Sequence, residues 1–394
     1  MSKSGRFFIE ADCLQRSEQG QKVSGDVCLQ RRMGDRVLAV LSDGEGSGVR
    51  ANVTAGVIGS MAVNYTMNDV PAAHAAAAII RTFISEHNVQ GGHATFSILD
   101  IRENGAVRVV EFENPRYIVL RGGDEYLPPR AAVEVEVTPS LSQTIYVSEF
   151  RARPEDRIVL LSDGVTLSGR LTRRLPEGWR RGGVVDFCLT ATACDPTLSA
   201  HELCRRVIER AEMNDLFAPK NDMSCMAVYF RQPRRILVCT GPPFKAENDA
   251  VLADMVARYE GSKLICGGTT AQIISRELGR PVSVVLRRDP AALPPTSTME
   301  GVDLVTEGVL TLSKVKSLLA RAAASEIAER GTDGEVARLL LAHDVIEFAV
   351  GTRINPMHQD PSLPVELELR RNLVRDLAFL LETKFMKHVT IRYI

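Results

Sequence analysis

Short apolar runs alternate with polar turns and amphipathic stretches along the first part of the chain. Two runs nearly repeat each other, Asp35–Gly44 and Asp156–Gly164, and each leads directly into Ser-Asp-Gly. β-Branched apolar runs bounded by turn residues are typical of buried strands. After the first run, apolar residues recur at helical spacing and predict a helix with one apolar face: Val53, Val57, Ile58, Met61, Ala62 and Tyr65.

Further strands and helices are predicted up to about residue 230. Pro71 opens a second helix, which is predicted to run from Ala72 to His87. Apolar segments separated by Gly, Asn and Pro predict an antiparallel meander with strands at 94–101, 106–113, 116–120 and 132–137. Another amphipathic helix begins near Ser199, and a polar turn followed by a strand is predicted at Asn221–Phe230. This order predicts helices segregated from a largely antiparallel sheet.

The pattern changes at Arg231–Arg235, beyond which short strands alternate with helices as in a parallel α/β layer. The strands of this half are predicted at 236–240, 263–266, 282–286 and 302–306. The helices are predicted at 246–259, 271–278, 311–329, 335–348 and 365–386. We therefore predict two domains, 1–232 and 233–394, of which the second is a smaller α/β domain.

Composition excludes several classes of partner and location. The chain carries 48 Lys and Arg against 49 Asp and Glu, a formal charge of −1, which gives no general attraction to nucleic acid or anionic lipid. No signal-peptide core follows the first residues, and no uncharged stretch reaches the roughly 18 residues that span a bilayer. The eight cysteines contain no Cys-x-x-Cys pair, which favours buried reduced thiols over zinc ligands or disulfides. We therefore expect a cytoplasmic protein that binds neither nucleic acid nor membrane.

Four acids lie at or beside the polar ends of predicted strands: Asp26, Asp43, Asp163 and Asp222. If these carboxylates converge, they repel one another unless cations are present. Hard oxygen ligands suit Mg²⁺ or Mn²⁺, and two ions about 3.5–4 Å apart can activate a bridging water for attack on a phosphoester. The glycine after Asp43 or Asp163 would let a backbone carbonyl approach the metal. A plain Asp-Gly turn is the alternative for either motif alone, and the two matching strands argue against it.

In order and spacing, four segments resemble the motifs of the metal-dependent serine/threonine protein phosphatases (PPM): Val23–Asp26, Leu41–Ala51, Leu161–Gly164 and Asn221–Ser224. The resemblance covers about residues 5–230 and is to the bacterial branch typified by the stage II sporulation phosphatase. It implies an α+β sandwich of antiparallel sheets flanked by helices, with two Mn²⁺ or Mg²⁺ ions at one end. It also implies hydrolysis of phosphoserine or phosphothreonine by metal-activated water, with a phosphorylated bacterial regulatory protein as the substrate.

By motif position, the resemblance gives each site residue a role. Asp43 would bridge the two ions, while Asp26 and the Gly44 carbonyl would serve one ion. Asp163 and the Asn221–Asp222 turn would serve the other, and the three acids Asp26, Asp43 and Asp163 would be catalytic. The last motif departs from the family, in which the ligand aspartate comes first. Either Asp222 takes over coordination, or Asn221 binds the ion through its amide oxygen.

Other segments give weaker candidates. No Gly-x-Ser-x-Gly elbow supports a serine nucleophile, and no histidine has a convincing role as a base. In the second domain, Cys239–Pro243 and Cys266–Thr270 each follow a strand and precede a helix. Backbone N–H groups at such a turn could hold a small anionic ligand, whereas tight packing and homodimer contacts are the alternative.

The leading hypothesis is a cytoplasmic protein serine/threonine phosphatase with a second domain that senses a ligand, dimerises or selects the substrate. The inverted Asn221–Asp222 pair motivates a rival, a non-catalytic phosphoprotein-binding or scaffold module with a degenerate metal site. A second rival is a ligand-sensing protein centred on the C-terminal domain.

Overall fold

The computed structural model describes residues 7–83, 94–139, 141–284, 296–321, 331–353 and 363–394. The chain divides into two compact units, Met1–Gln232 and Pro233–Ile394. The first unit contains two antiparallel sheets, and the second contains one mixed sheet.

The first unit alternates strands with pairs of helices. Its strands are β1 (Phe8–Arg16), β2 (Asp26–Met33), β3 (Arg36–Gly44), β4 (Ala94–Arg102), β5 (Ala106–Phe112), β6 (Ile118–Arg121), β7 (Asp124–Glu125), β8 (Ala131–Thr138), β9 (Leu141–Arg151), β10 (Arg157–Leu161) and β11 (Met223–Arg231). Its helices are α1 (Gly48–Met67), α2 (Ala72–Phe83), α3 (Asp163–Thr166), α4 (Arg180–Cys194) and α5 (Ala200–Asn214). The strand orders β1-β11-β10-β6-β7 and β2-β3-β4-β5-β9-β8 confirm the predicted antiparallel sheets flanked by helices.

Each sheet of the first unit has its own helical cover. Apolar residues of α1 and α2 pack with β3, β4 and β5, and the buried Phe96 and Phe112 lie in this core. Apolar residues of α4 and α5 pack with β10 and β11. Helix α5 begins where predicted, because the Oγ of Ser199 accepts a hydrogen bond from the Glu202 N–H at 3.1 Å. Helix α2 is described only to Phe83, so the predicted residues 84–87 lie outside the described part of the chain.

The second unit is an α/β layer. Its strands are β12 (Arg235–Thr240), β13 (Ser262–Cys266), β14 (Ser283–Val284), β15 (Ser297–Met299), β16 (Val302–Thr306), β17 (Val345–Val350) and β18 (His388–Tyr393). Its helices are α6 (Asp249–Arg258), α7 (Gly268–Leu278), α8 (Val309–Arg321), α9 (Thr332–Ala342) and α10 (Leu363–Phe385). The strand order is β14-β15-β16-β13-β12-β17-β18, in which the last five strands are parallel and the pairs made by β15 are antiparallel. The predicted α/β class is confirmed.

The structure corrects the predicted helix at 335–348. Helix α9 ends at Ala342, and Val345–Val350 forms β17, which pairs with β12 on one side and β18 on the other. A parallel strand covered on both faces has a continuous apolar run, and periodicity alone does not distinguish such a run from a buried helix. Only parts of two other predicted elements lie in described ranges, because residues 285–286 and 322–329 fall outside them.

The prediction that every cysteine is a reduced thiol is wrong for Cys13 and Cys28. Their sulfurs form a disulfide between β1 and β2, with the two Cα atoms 6.6 Å apart. The other six cysteines are free, and all of them except Cys194 are buried. The pair escapes sequence reasoning because packing of the two sheets, not a local motif, brings the thiols together.

Candidate active site

Asp26 and Asp43 face each other at one end of the six-stranded sheet. Asp26 is the first residue of β2, Asp43 lies next to the end of β3, and the two residues are direct partners in the antiparallel register. Their side chains are close enough that the charge of Asp26 opposes ionisation of Asp43. The structure therefore brings together the first two predicted site residues.

Asp163 and Asn221 form a second pair at the end of the other sheet. Asp163 is the first residue of α3, directly after β10, and Asn221 lies just before β11, which pairs with β10. The Asn221 Nδ2 donates a hydrogen bond to Asp163 Oδ1 at 2.8 Å. Asp163 and Asp222 are both close enough to Asp43 to oppose its ionisation, so all four predicted acids lie in one region.

Ser224 connects the two sheets at this end. Its Oγ donates a hydrogen bond to Asp26 Oδ2 at 2.6 Å and accepts one from Gln15 Nε2 at 2.8 Å. Its N–H donates to the Oγ of Ser162 at 2.9 Å. Sequence reasoning gave Ser224 no role, although this serine closes the Asn221–Ser224 motif. The buried hydroxyl fixes the orientation of Asp26, which makes Ser224 a positioning residue.

The carboxylate of Asp222 accepts hydrogen bonds from the backbone of the loop that precedes β2. The side chain is 2% exposed, and its two carboxylate oxygens accept hydrogen bonds from the N–H groups of Glu18, at 2.9 Å, and Gly25, at 2.8 Å. The two residues of the inverted motif therefore make different contacts. Asn221 contacts Asp163, whereas Asp222 holds the loop next to Asp26.

The glycines after Asp43 and Asp163 are required by close backbone contacts. A Cβ on Gly44 would lie 2.3 Å from the carbonyl oxygen of Ala51, in the first turns of α1. A Cβ on Gly164 would lie 2.1 Å from the carbonyl oxygen of Asp222. Because real Cβ atoms do not come this close to other heavy atoms, each Ser-Asp-Gly turn needs its glycine for packing.

The acids of this region are hard to ionise together. Burial, followed by the charges of Asp26 and Asp163, raises the pKa of Asp43 to about 9. Burial also raises the pKa of Asp26 to about 6, even though Ser224 hydrogen-bonds to this carboxylate. Burial raises the pKa of Asp163 as well, although the hydrogen bond from the Gly164 N–H acts to lower it. A nearby cation would reverse these shifts by stabilising the carboxylates.

The donor set fits a hard divalent cation better at one pair than at the other. Across the described ranges, no three His, Cys, Asp or Glu side chains are already arranged to hold a metal ion. At Asp26 and Asp43, the two crowded carboxyl groups are the ligand type that Mg²⁺ or Mn²⁺ prefers. At Asp163 the fit is poorer, because Asn221 points an N–H at the carboxylate and its own Oδ1 accepts the Asp222 N–H at 2.9 Å.

The anion-binding turns predicted in the second unit differ in their surroundings. Gly241 is crowded, since a Cβ there would lie 2.5 Å from an Arg370 guanidinium nitrogen. The second turn leads into α7 at Gly268, where Gly268 and Thr269 are exposed and Thr270 is buried. A small anionic ligand in this unit stays a prediction. In the part of the chain that the structure describes, each helix is too short or too polar to span a bilayer.

The family model for Stage II sporulation protein E (SpoIIE) matches residues 33–231, which is half of the chain. This chain belongs to the SpoIIE family. The match includes Asp43, Asp163 and the Asn221–Asp222 pair, whereas Asp26 precedes it. No curated protein matches the chain.

Solved structures with some similarity to this SpoIIE-family chain are distant in sequence. The phosphatase domain of SpoIIE from Bacillus subtilis is 13% identical, with a TM-score of 0.44 over 58% of this chain and 94% of that one. RsbX in complex with magnesium is 15% identical, with a TM-score of 0.38 over 56% and 95% of the two chains. The serine/threonine phosphatase PstP of Mycobacterium tuberculosis is 14% identical, with a TM-score of 0.39 over 57% and 99%.

Proposed function

We propose that this chain hydrolyses phosphoserine or phosphothreonine in a phosphoprotein and that it requires Mn²⁺ or Mg²⁺. The observation that carries this proposal is the pairing of the buried Asp26 with the half-buried Asp43 beside Asp163, within a SpoIIE-family domain. When bound, two ions would supply Lewis-acid stabilisation of the phosphoryl oxygens and activation of a water. The carboxylate and carbonyl oxygens of the site support this choice of ion.

The chain's own residues would hold the ions and keep the acceptor oxygens in place. Asp26, Asp43 and the Gly44 carbonyl would hold one ion, and Asp43 would also face the second. Asp163 would hold the second ion together with the Asn221 amide, once that amide turns its oxygen toward the site. Ser224 would hold Asp26 in orientation by its 2.6 Å hydrogen bond.

The test of this proposal compares the wild-type chain with Asp43→Asn. We expect the wild type with Mn²⁺ to hydrolyse a phosphoserine peptide and p-nitrophenyl phosphate. The variant should lose at least about a hundredfold in kcat/KM on both substrates, because it lacks the charge that faces both ions. Titration calorimetry should show weaker Mn²⁺ binding to the variant. A wild type that neither turns over substrate nor binds Mn²⁺ would exclude catalysis.

The non-catalytic phosphoprotein-binding module remains the second candidate, because Asn221 gives the Asp163 site one charge fewer than an aspartate would. This candidate predicts affinity for the phosphoserine peptide without turnover at any Mn²⁺ concentration. The same calorimetry and turnover measurements distinguish the two functions.

The substrate, the location and the role of the second unit stay predictions. We propose a phosphorylated bacterial regulatory protein as the substrate, and ligand sensing, homodimer formation or substrate selection as the role of residues 233–394. A cytoplasmic location agrees with the six free cysteines. The Cys13–Cys28 disulfide, by contrast, needs an oxidant to form.

A further inference from the structure

Two loops beside the candidate active site expose large apolar side chains. Leu171 is 86% exposed on the loop between α3 and α4, and Leu216 and Phe217 are 80% and 74% exposed on the loop between α5 and β11. Leaving such side chains in water forgoes the free energy that burial of their apolar surface would release. Exposed apolar clusters on folded proteins commonly mark binding surfaces.

The backbone at these three positions is strained. Leu171, Leu216 and Phe217 have φ values of 66°, 57° and 60°, in the left-handed region that bulky residues rarely adopt. A left-handed backbone at a bulky residue costs free energy, and such outliers cluster at functional sites. Positive φ and high exposure therefore coincide at all three positions.

The two loops are tied to each other by the buried carboxylate of Asp215. One of its oxygens accepts the Gly169 N–H at 2.6 Å, and the other accepts the Lys220 N–H at 3.2 Å. Lys220 also donates from Nζ to the Arg170 carbonyl at 3.2 Å. Leu171 and the Leu216–Phe217 pair therefore belong to one ordered surface.

This surface is cationic and adjoins the candidate site. Arg170, Arg173 and Arg174 are exposed, whereas Glu177, the acid of the same loop, pairs with Arg180. The first loop follows Asp163 along the chain and the second ends at Asn221, and these two residues share the 2.8 Å hydrogen bond. Both loops therefore continue directly from residues of the candidate site.

We propose that this surface, defined by Leu171, Leu216, Phe217, Arg170, Arg173 and Arg174, docks the phosphoprotein substrate through an acidic segment with an apolar residue near the phosphorylated side chain. The proposal rests on the phosphatase function proposed above. Charge complementarity selects an acidic occupant, since three exposed guanidinium groups repel a basic segment. The apolar residue of the occupant would cover the exposed leucines and phenylalanine.

The variants are chosen so that the fold survives. Phe217→Asn removes the phenyl ring, and asparagine tolerates a left-handed backbone better than phenylalanine does. The double variant Arg173→Glu with Arg174→Glu reverses two exposed charges. Phe379→Asn, at a residue 68% exposed on α10, is the matched control for loss of an exposed phenyl ring.

The probe is a fluorescein-labelled phosphoserine peptide with glutamates and one leucine around the phosphoserine, compared with the same peptide carrying lysines instead of glutamates. On the full chain with Mn²⁺, we expect the charge-reversal variant to lose about tenfold in kcat/KM for the acidic peptide, and Phe217→Asn to lose about fivefold. Turnover of p-nitrophenyl phosphate should stay within twofold of the wild type for both variants. The control Phe379→Asn should match the wild type on every substrate.

Peptide binding measured by fluorescence anisotropy separates this inference from the proposed function. If the wild type turns over no substrate but still prefers the acidic peptide, and the charge-reversal variant loses that preference, the docking surface stands while catalysis fails. If the variants bind and process the acidic peptide as the wild type does, the docking proposal is wrong. The docking proposal is also wrong if the variants lose as much activity on p-nitrophenyl phosphate as on the acidic peptide. It is wrong too if the variants bind the acidic peptide normally and differ from the wild type only in binding to anionic lipid vesicles.

Discussion

Adjacent residues of one motif have separate tasks at the candidate site. Asn221 donates to Asp163, whereas the carboxylate of Asp222 accepts two backbone N–H groups of the loop before β2. The Asn221 amide therefore weakens the second cation site, because it supplies no negative charge. The carboxylate of Asp222 instead holds the loop beside Asp26. This division makes opposite predictions for substitutions at two neighbouring positions.

Asn221→Asp should strengthen the binding of the second Mn²⁺ by about tenfold, because added ligand charge raises affinity for a hard cation. The measurement is calorimetric titration of the full chain, in which a second binding step should become resolved. The matched variant Asp222→Asn should weaken Mn²⁺ binding less than Asn221→Ala does, but cost about 1–3 kcal/mol of stability, because it disturbs a buried hydrogen-bonded carboxylate. If Asp222→Asn weakens Mn²⁺ binding more than Asn221→Ala does, Asp222 is the ligand instead.

The sequence suffices to predict that Asp26, Asp43 and Asp163 approach one another, because each acid ends or begins a recognisable apolar strand. It does not predict the contacts of Ser224 with Asp26 or of Asp222 with Gly25. These contacts join residues 198 and 197 positions apart, and their partners are fixed by the packing of two sheets. A single sequence contains no local pattern for such pairs.

At the scale of elements, the Cys13–Cys28 disulfide links a strand of one sheet to a strand of the other. Strand β2 also carries Asp26, and β1 pairs along its full length with β11, which carries Ser224. The disulfide therefore reinforces the same junction of sheets that the Ser224–Asp26 hydrogen bond makes.

Cys13→Ser should lower the free energy of unfolding by about 3 kcal/mol, the value expected for a closed loop of about 15 residues. Urea unfolding of the oxidised chain provides the measurement, and dithiothreitol should lower the wild-type midpoint toward that of the variant. Cys194→Ser, at an exposed free cysteine, is the control and should unfold like the wild type. Equal midpoints for wild type and Cys13→Ser would show that the bond does not contribute to stability.

Strand β17 shows where prediction of elements fails. Its apolar run, Val345–Val350, is read from the sequence as part of a helix, and only its parallel pairing with β12 and β18 shows it to be a strand. Strand β5 alternates in burial near its start, and its predicted bounds agree with the structure to within one residue. The predictable elements are those whose faces differ in exposure.

At the scale of the whole molecule, the net charge is near zero, yet several carboxyl groups are clustered where their ionisation is unfavourable. In the folded protein the pKa of Asp43 is about 9 and that of Asp26 is about 6, both above the ordinary value near 4 that we expect in the unfolded chain. The protonated forms therefore favour folding, and that contribution is complete below about pH 4. It is lost as the pH rises, up to about pH 6 for Asp26 and about pH 9 for Asp43.

In EDTA, the melting temperature of the wild type should therefore fall between pH 5.5 and pH 8.5. Asp43→Asn cannot ionise at this position, so its melting temperature should fall less over the same pH range. The difference should be several degrees, since each kcal/mol shifts the melting temperature by about 2–4 °C. Adding Mn²⁺ at pH 8.5 should raise the melting temperature of the wild type more than that of the variant. Parallel pH profiles for the two proteins would contradict the raised pKa of Asp43.

The pairing of β1 with β11 also constrains when the candidate site forms during synthesis. Phe8 pairs with Arg231 and Arg16 with Met223, so β1 cannot form its hydrogen bonds with β11 until β11 has been synthesised. Long-range pairing of this kind is slow, and it cannot start on a ribosome before the distant strand has emerged. Until then Asp26 lacks Ser224, and the loop before β2 lacks Asp222. A partly synthesised chain therefore carries Asp26 and Asp43 without the contacts that position them, and the candidate site is completed only after β11 has emerged.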